Sequence, residues 1–298
     1  MSSLAIAPST EAPIDMSGDV PGDVIDRLLG RIEVASGIDF RHYAPATLVR
    51  RLWACAAAEG MVTPGQVEAW LSSDPSRPSR LTRLVLGLTG RETPLFSGVT
   101  SGGAGEVAFW SALREKVIPL LRTYPSINLW VPGCGAGAAA YALAIVLHEE
   151  GLHERSRIYA TDLAETVVER GRSGVVSDEM LVGAAAAYTA SGGKASLATY
   201  LVEDHDGRVL LPLLRERITF AQHSLATDAS FNEFQFILCR DVLADFEPAV
   251  ARRGYQLLHE SSCRFGIVAL GARDRPPADW RDRYEDFAMT HQLYRKIV

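Results

Sequence analysis

The sequence predicts an α/β protein, with a small all-helical N-terminal part followed by a mostly parallel sheet that ends in an antiparallel strand. One reason is the stretch over residues 127–145. There Leu129-Trp130-Val131 is a short apolar run stopped by Pro132 and Gly133, and the alanine-rich tract beyond Gly137 has helical propensity, so the stretch reads as strand, glycine turn and helix. A second reason is Arg157-Ile158-Tyr159-Ala160-Thr161-Asp162, another short strand, which ends in an acid. A third is the C-terminal part. Residues 234–239 and 265–270 read as strands around a helix over 248–260, and residues 291–297 read as a last strand paired with 286–289.

At 298 residues, 47% hydrophobic and 22% charged, the chain is long enough for one domain plus a smaller one. A net charge of -6 argues against a nucleic-acid binder that relies on general phosphate attraction, so no nucleic-acid partner is expected. The four cysteines, Cys55, Cys134, Cys239 and Cys263, are far apart and show no metal-ligand spacing; they read as reduced, buried thiols, and no metal is expected. No run approaches the ~18 apolar residues of a membrane span, and Glu11 and Asp15 do not fit a signal peptide. The expected location is cytoplasmic. Among the seven histidines, no two form a nucleophile and base pattern with an evident serine or cysteine.

In chain order, residues 1–20 are rich in Ser, Ala, Pro and Asp and read as a disordered tail. From Asp23, the residues Val24, Ile25, Leu28, Leu29 and Ile32 share a helix face that Gly37 ends. A second helix from Pro45 turns Leu48, Leu52, Cys55 and Ala56 inward and Arg50 and Arg51 outward, a face that suits either an acidic partner protein or plain solvation. Thr63-Pro64 starts a third helix with proline at its first position, carrying Val67, Trp70 and Leu71. Residues 72–80 read as a linker, and a helix over 81–88 closes a helical domain of residues 21–90.

The second domain spans residues 91–298. Its opening loop, 91–105, holds four glycines in eight residues and reads either as a lid or as an interdomain linker. An amphipathic helix over 106–122 follows, its Phe109 and Trp110 assigned to the core. Helices are expected over 164–170 and 178–188. Residues 200–202 and 208–211, joined by Asp204-His205-Asp206-Gly207, read as an antiparallel hairpin and form an insertion of about 190–215 in the βα alternation.

The chemistry is concentrated at Gly133-Cys134-Gly135-Ala136-Gly137. Glycine serves where the backbone turns tightly and approaches a ligand, and the helix beyond it aims free N–H groups at that ligand. Asp162 lies where a βαβ unit places a carboxylate for a ribose diol. The residues themselves leave the nucleoside open. The same letters fit a dinucleotide fingerprint, whereas a P-loop is disfavoured because no Gly-Lys-Ser/Thr follows.

From about residue 22 onward the chain resembles the CheR family of S-adenosylmethionine-dependent chemotaxis-receptor methyltransferases. The resemblance is carried by Ser36-Gly37-Ile38-Asp39-Phe40 with Arg50-Arg51-Leu52, Glu92-Thr93-Pro94-Leu95-Phe96, Pro132 to Gly137 with Tyr141, Ala160-Thr161-Asp162-Leu163, and above all Phe236-Ile237-Leu238-Cys239-Arg240-Asp241-Val242-Leu243 with Phe246. It implies a class I methyltransferase, Rossmann-like sheet with S-adenosylmethionine over the strand ends, and methyl transfer to a glutamate on a receptor helix. The hairpin insertion sits where the family carries a β-subdomain that binds a receptor tail. Carried over residue by residue, the cofactor-binding set is Arg91, Thr93, Ser97, Gly133, Gly135, Gly137, Asp162, Leu163, Ser224, Leu225, Arg240 and Asp241. No catalytic residue is assigned.

Several family positions differ here. Ser97 replaces an arginine, Ala138 and Ala139 replace a Glu-Glu pair, Ser224 an asparagine, Asp241 an asparagine, Asp245 a tyrosine, and Arg91 an asparagine. The nucleoside half is thus retained and the half facing the methionine end and the acceptor is rewritten. Asp241 or Asp245 is a candidate partner for the cofactor's amino group, with Arg91 for its carboxylate; simple pairing of these acids with surface arginines is the alternative. Three functions stay open. They are methyl transfer to a carboxylate or other acceptor, use of the cofactor's aminocarboxypropyl arm, and cofactor binding without catalysis.

Overall fold

The computed structural model describes residues 22–61, 63–72, 78–89, 93–96, 104–205 and 207–298. These fall into two compact units, one of residues 22–41 and 45–88, the other of residues 42–44 and 89–298. The tail expected over residues 1–20 lies outside the described residues, as does most of the glycine-rich loop over 91–105.

The first unit consists of α1 (Gly22–Ser36), α2 (Pro45–Ala58), α3 (Pro64–Ser72) and α4 (Pro78–Thr89). Its core takes Ile25, Leu28 and Ile32 from α1, Leu48, Leu52 and Trp53 from α2, Val67 from α3 and Val85 and Leu88 from α4. The chain leaves α1 at Gly37, whose φ of 71° favours a residue without a Cβ and whose N–H donates to the Glu33 carbonyl at 2.7 Å. α3 starts with a reciprocal cap. The Gln66 N–H donates to Thr63 Oγ1 at 3.2 Å and the Thr63 N–H donates to Gln66 Oε1 at 3.1 Å.

One expectation fails in this unit. Arg51 does not share the outward face with Arg50; it is buried, and its Nη1 donates to the Leu88 carbonyl at 2.7 Å. The last carbonyls of a helix have no partner within it, and a guanidinium is suited to reach one. Close approach of α2 and α4 makes this contact available, since a Cβ at Gly87 would lie 2.0 Å from Cys55 Sγ.

In the second unit, the helix expected over 106–122 is continuous but uneven. α5 (Ala104–Ala112) passes into a π-helical turn, Leu113–Val117, and then α6 (Ile118–Leu121). Pro119 accounts for the change, because its nitrogen cannot donate to the preceding turn and its ring crowds the carbonyl four residues back. The Ile118 N–H instead donates to the Leu113 carbonyl, five residues back.

The chain continues through β1 (Ile127–Pro132), α7 (Ala138–Glu149), β2 (Ser156–Asp162), α8 (Glu165–Ser173), α9 (Asp178–Leu181) and α10 (Ala184–Ala190). The single helix expected over 178–188 is broken between α9 and α10 at Gly183, which has a φ of 69°. Then come β3 (Leu201–Asp204), β4 (Gly207–Leu210), α11 (Pro212–Arg215), β5 (Ile218–Gln222), β6 (Phe234–Cys239), α12 (Pro248–Ser261), β7 (Ser262–Leu270), β8 (Tyr284–Ala288) and β9 (Leu293–Lys296). Seven strands form one sheet in the order β5-β2-β1-β6-β7-β9-β8, parallel from β5 to β7 and antiparallel for β8 and β9. β3 and β4 pair apart from it as an antiparallel hairpin, Leu201 opposite Leu210, so the predicted insertion is present as a two-stranded element. The central strands are buried on both faces, as parallel sheets are, and Trp130 of β1 stacks on Phe234 of β6 at 5.3 Å.

Among the described residues, no helix is long and apolar enough to cross a membrane.

Candidate cofactor site

From β1 the chain builds the sheet outward through β2 to β5, then returns to place β6 on the other side of β1. Strand order therefore reverses between β1 and β6, and in open α/β sheets ligands bind beyond the carboxyl ends at such a reversal. Most of the predicted residues lie on that edge. The glycine turn follows β1, Asp162 ends β2 with Leu163 after it, Ser224 and Leu225 follow β5, and Arg240 and Asp241 follow β6.

Gly133, Gly135 and Gly137 have φ values of 63°, 53° and 99°, but only one of them faces empty space. A Cβ on Gly133 would lie 2.8 Å from the Val242 side chain, and one on Gly137 would lie 3.0 Å from Phe220 and Tyr141. On Gly135 it would meet no protein atom within 4 Å. Gly133 and Gly137 thus permit packing of the turn, and Gly135 borders open space.

Asp162 ties this turn to β2. Its Oδ2 accepts the Gly135 N–H at 2.9 Å and its Oδ1 accepts the Ala164 N–H at 3.4 Å, while the Cys134 N–H donates to the Thr161 carbonyl at 3.0 Å. The carboxyl is buried, at 5% exposure, and burial pushes its pKa above the ordinary carboxylate value against the N–H groups of Gly135, Ala164 and Leu163. A carboxylate has about four lone-pair sites, so acceptor capacity remains for a diol.

The remaining predicted residues are placed less uniformly. Leu225 buries its side chain in the core cluster with Trp130, Phe234 and Ile237, leaving only its backbone for a ligand. Ser224 is half-buried, its N–H bonded to Asp228 Oδ2 at 2.9 Å, and the Leu163 carbonyl accepts from Gln222 Nε2 at 2.8 Å. Thr93 is half-buried, and the nearby Leu95 N–H donates to the Met180 carbonyl at 2.8 Å. Arg91 and Ser97 lie outside the described residues. Arg240 lays its guanidinium over the Phe109 ring, 4.1 Å from the centroid. Phe109 is a core residue, as expected, and it also carries this cation.

Asp241 stands at φ 59°, a conformation that Asn and Asp tolerate better than other residues with a Cβ. Its Oδ1 accepts the Arg273 N–H at 2.7 Å, and Arg273 Nη1 reaches Asp245 Oδ1 at 2.7 Å. Asp274 sits behind them. Its Oδ2 accepts the N–H groups of Asp241 and Gly271, both at 2.7 Å, and its Oδ1 accepts that of Ala244 at 3.1 Å. Burial, helped by the Asp241 charge, outweighs these donors and raises Asp274 to about 6. Asp241 and Asp245 thus pair with an arginine, but in the interior, each at 3% exposure, and not on the surface.

Arg273 and Asp274 escaped the sequence reading. They lie about thirty residues beyond Asp241 and reach it only because β6 and β7 are neighbours in the sheet. Cys134 and Cys239 are buried thiols, as expected, with burial raising both well above the ordinary value.

Residues 106–292 match the family model described as CheR methyltransferase, SAM binding domain. The chain belongs to this family. It is an S-adenosylmethionine-dependent methyltransferase, and S-adenosylmethionine is its cofactor. The Cher3 protein of Pseudomonas putida is 32% identical over 270 residues, which cover 90% of this chain and 95% of that one. A chemotaxis protein methyltransferase of Listeria monocytogenes is 28% identical over 175 residues, and the match spans 57% of this chain and 64% of that protein. Among solved structures, the DszA carbon methyltransferase shares 15% identity at a TM-score of 0.40, over 84% of this chain and 51% of that one.

The residues present fit the nucleoside end of this cofactor. Gly135 leaves open space where a Cβ would stand, and Asp162 is a buried acceptor next to it. Alanine at Gly135 should therefore weaken cofactor binding by roughly tenfold or more through intrusion, while the positive φ costs about 1–2 kcal/mol of stability in an L-residue, with or without cofactor. Alanine at Gly133 also meets Val242 and should lower the melting temperature further than Gly135→Ala. Calorimetry with S-adenosylhomocysteine and thermal melts separate the two effects; equal losses of affinity and stability in both variants would contradict the assignment.

Proposed function

We propose that this methyltransferase esterifies an ionised carboxylate on a chemoreceptor-type protein, with Gly135 and Asp162 holding the nucleoside of the cofactor. The observation that carries this reading is the state of the four buried aspartates among the described residues. Asp162 is held by backbone N–H groups, Asp241 and Asp245 by Arg273, and Asp274 by three N–H groups. None is set to act as a general base. An ionised carboxylate acceptor requires none, because it is itself the nucleophile. The bound cofactor supplies an electrophilic methyl on a sulfonium.

The protein's part is then positioning and electrostatics. Arg240, supported on Phe109, places positive charge at the β6 edge, which suits an anionic acceptor, while Arg273 is committed to Asp241 and Asp245. The receptor as acceptor rests on relatives named chemotaxis protein methyltransferases. Incubation with methyl-tritiated cofactor and a chemoreceptor cytoplasmic fragment tests it. The expected product is a methyl ester that releases volatile methanol in alkali; label stable to alkali, or no label on the receptor while cofactor is consumed, would contradict it.

One observation favours a second reading. The first turn of α7 carries Ala138 and Ala139 with no acid, so the methionine end of the cofactor meets different chemistry from that of the family pattern. Reaction of the aminocarboxypropyl arm would yield methylthioadenosine and not S-adenosylhomocysteine.

A further inference from the structure

A cavity of about 330 Å³ opens between α12 and the segment that joins β7 to β8, and it shares no residue with the cofactor site. Its charge is unlike that of the chain as a whole. Arg252, Arg253 and Arg283 line it with one acid, Asp279, in a protein of net charge -6. The acid is loosely held, 3.8 Å from Arg252 Nη2 and 3.8 Å from Arg283 Nη2. Exposed pairs at such distances contribute little, on the order of 0–1 kcal/mol.

Two residues that line it also carry a ring nitrogen with no protein partner. Trp280, 4% exposed, has a buried indole N–H with no protein partner, and the buried Nδ1 of His259 has none either. Buried donors are nearly always satisfied, and leaving one unpaired costs about 1–3 kcal/mol. Burial, then Lys296 and Arg283, lower the pKa of His259, as expected in a positive environment. Arg253 is fixed from outside, donating to the carbonyls of Thr227 and Asp228 at 2.9 and 3.2 Å, so one cationic wall is already in place.

We propose that this cavity is a binding site for a small polyanion, a phosphate ester or a polycarboxylate. Arg252 and Arg283 exchange Asp279 for the ligand's oxygens. Guanidinium forks match the planar oxygen pairs of both groups, and the volume is at the small-ligand end of the usual range of pockets.

The test is titration calorimetry on the full chain saturated with S-adenosylhomocysteine, which keeps the cofactor site filled. Inorganic pyrophosphate and citrate serve as probes at constant ionic strength. Binding near one to one is expected for at least one probe, and which one binds separates phosphate from carboxylate chemistry. The double variant R252Q/R283Q should bind at least tenfold more weakly. Asp279→Asn removes the competing acid and should bind several-fold more tightly, an opposite change that general destabilisation does not produce. No heat from either probe, or unchanged affinity in both variants with the thermal melt preserved, would overturn the proposal.

Discussion

Asp162→Ala should weaken S-adenosylhomocysteine binding by roughly a hundredfold, because hydrogen bonds to a charged acceptor contribute about 1.5–3 kcal/mol each and a ribose diol offers two. The same change leaves the Gly135 N–H without its acceptor at 2.9 Å and so loosens the turn. Asp162→Asn separates these parts. An amide retains one oxygen for Gly135 but loses the charge and the second acceptor, so its affinity should fall between those of the wild type and the alanine variant. Calorimetry on the three proteins gives the order, and equal affinities for wild type and Asp162→Ala would remove Asp162 from the site.

The second large effect is on stability. Asp274→Ala should destabilise the protein by about 3 kcal/mol or more, since it strips the acceptor from three buried N–H groups at about 1–3 kcal/mol each. The pH dependence has a definite sign. Burial first, and then the Asp241 charge, raise Asp274 to about 6, so the folded chain holds this proton more tightly than the unfolded chain. Its contribution to stability is largest below the ordinary carboxylate value and declines as pH rises through about 6. The decline amounts to about 3 kcal/mol at 1.36 kcal/mol per pH unit. Denaturant melts of wild type and Asp274→Asn at pH 4.5 and 7.5 measure it. The advantage of the wild type should shrink at the higher pH, and a constant or growing advantage would refute the assignment.

The glycine turn was legible because glycine meets a positive φ at least steric cost, and 133, 135 and 137 all meet it so. The hairpin was legible through its Asp-Gly turn, and the strands through short apolar runs. Where tertiary contact sets the outcome, the letters were silent. Arg51 reads as outward by its charge, although its spacing from Leu48, Leu52 and Cys55 is that of the inward stripe, and the end of α4 gives its guanidinium a carbonyl to serve. The π-helical turn follows from Pro119, but an amphipathic pattern alone does not place it. Asp241 and Asp245 are separated in sequence from Arg273 and Asp274 by the whole of α12 and β7, so their cluster emerges only from the pairing of β6 with β7. That the Leu225 side chain joins the core cluster is likewise set by packing.

The departures at Ala138, Ala139, Asp241 and Asp245 make the fate of the cofactor the point on which the account turns. Mass-spectrometric identification of the cofactor-derived product, with and without a chemoreceptor cytoplasmic fragment, tests it most directly. S-adenosylhomocysteine, formed only when the acceptor is present, is the predicted result; methylthioadenosine, with or without acceptor, would contradict it.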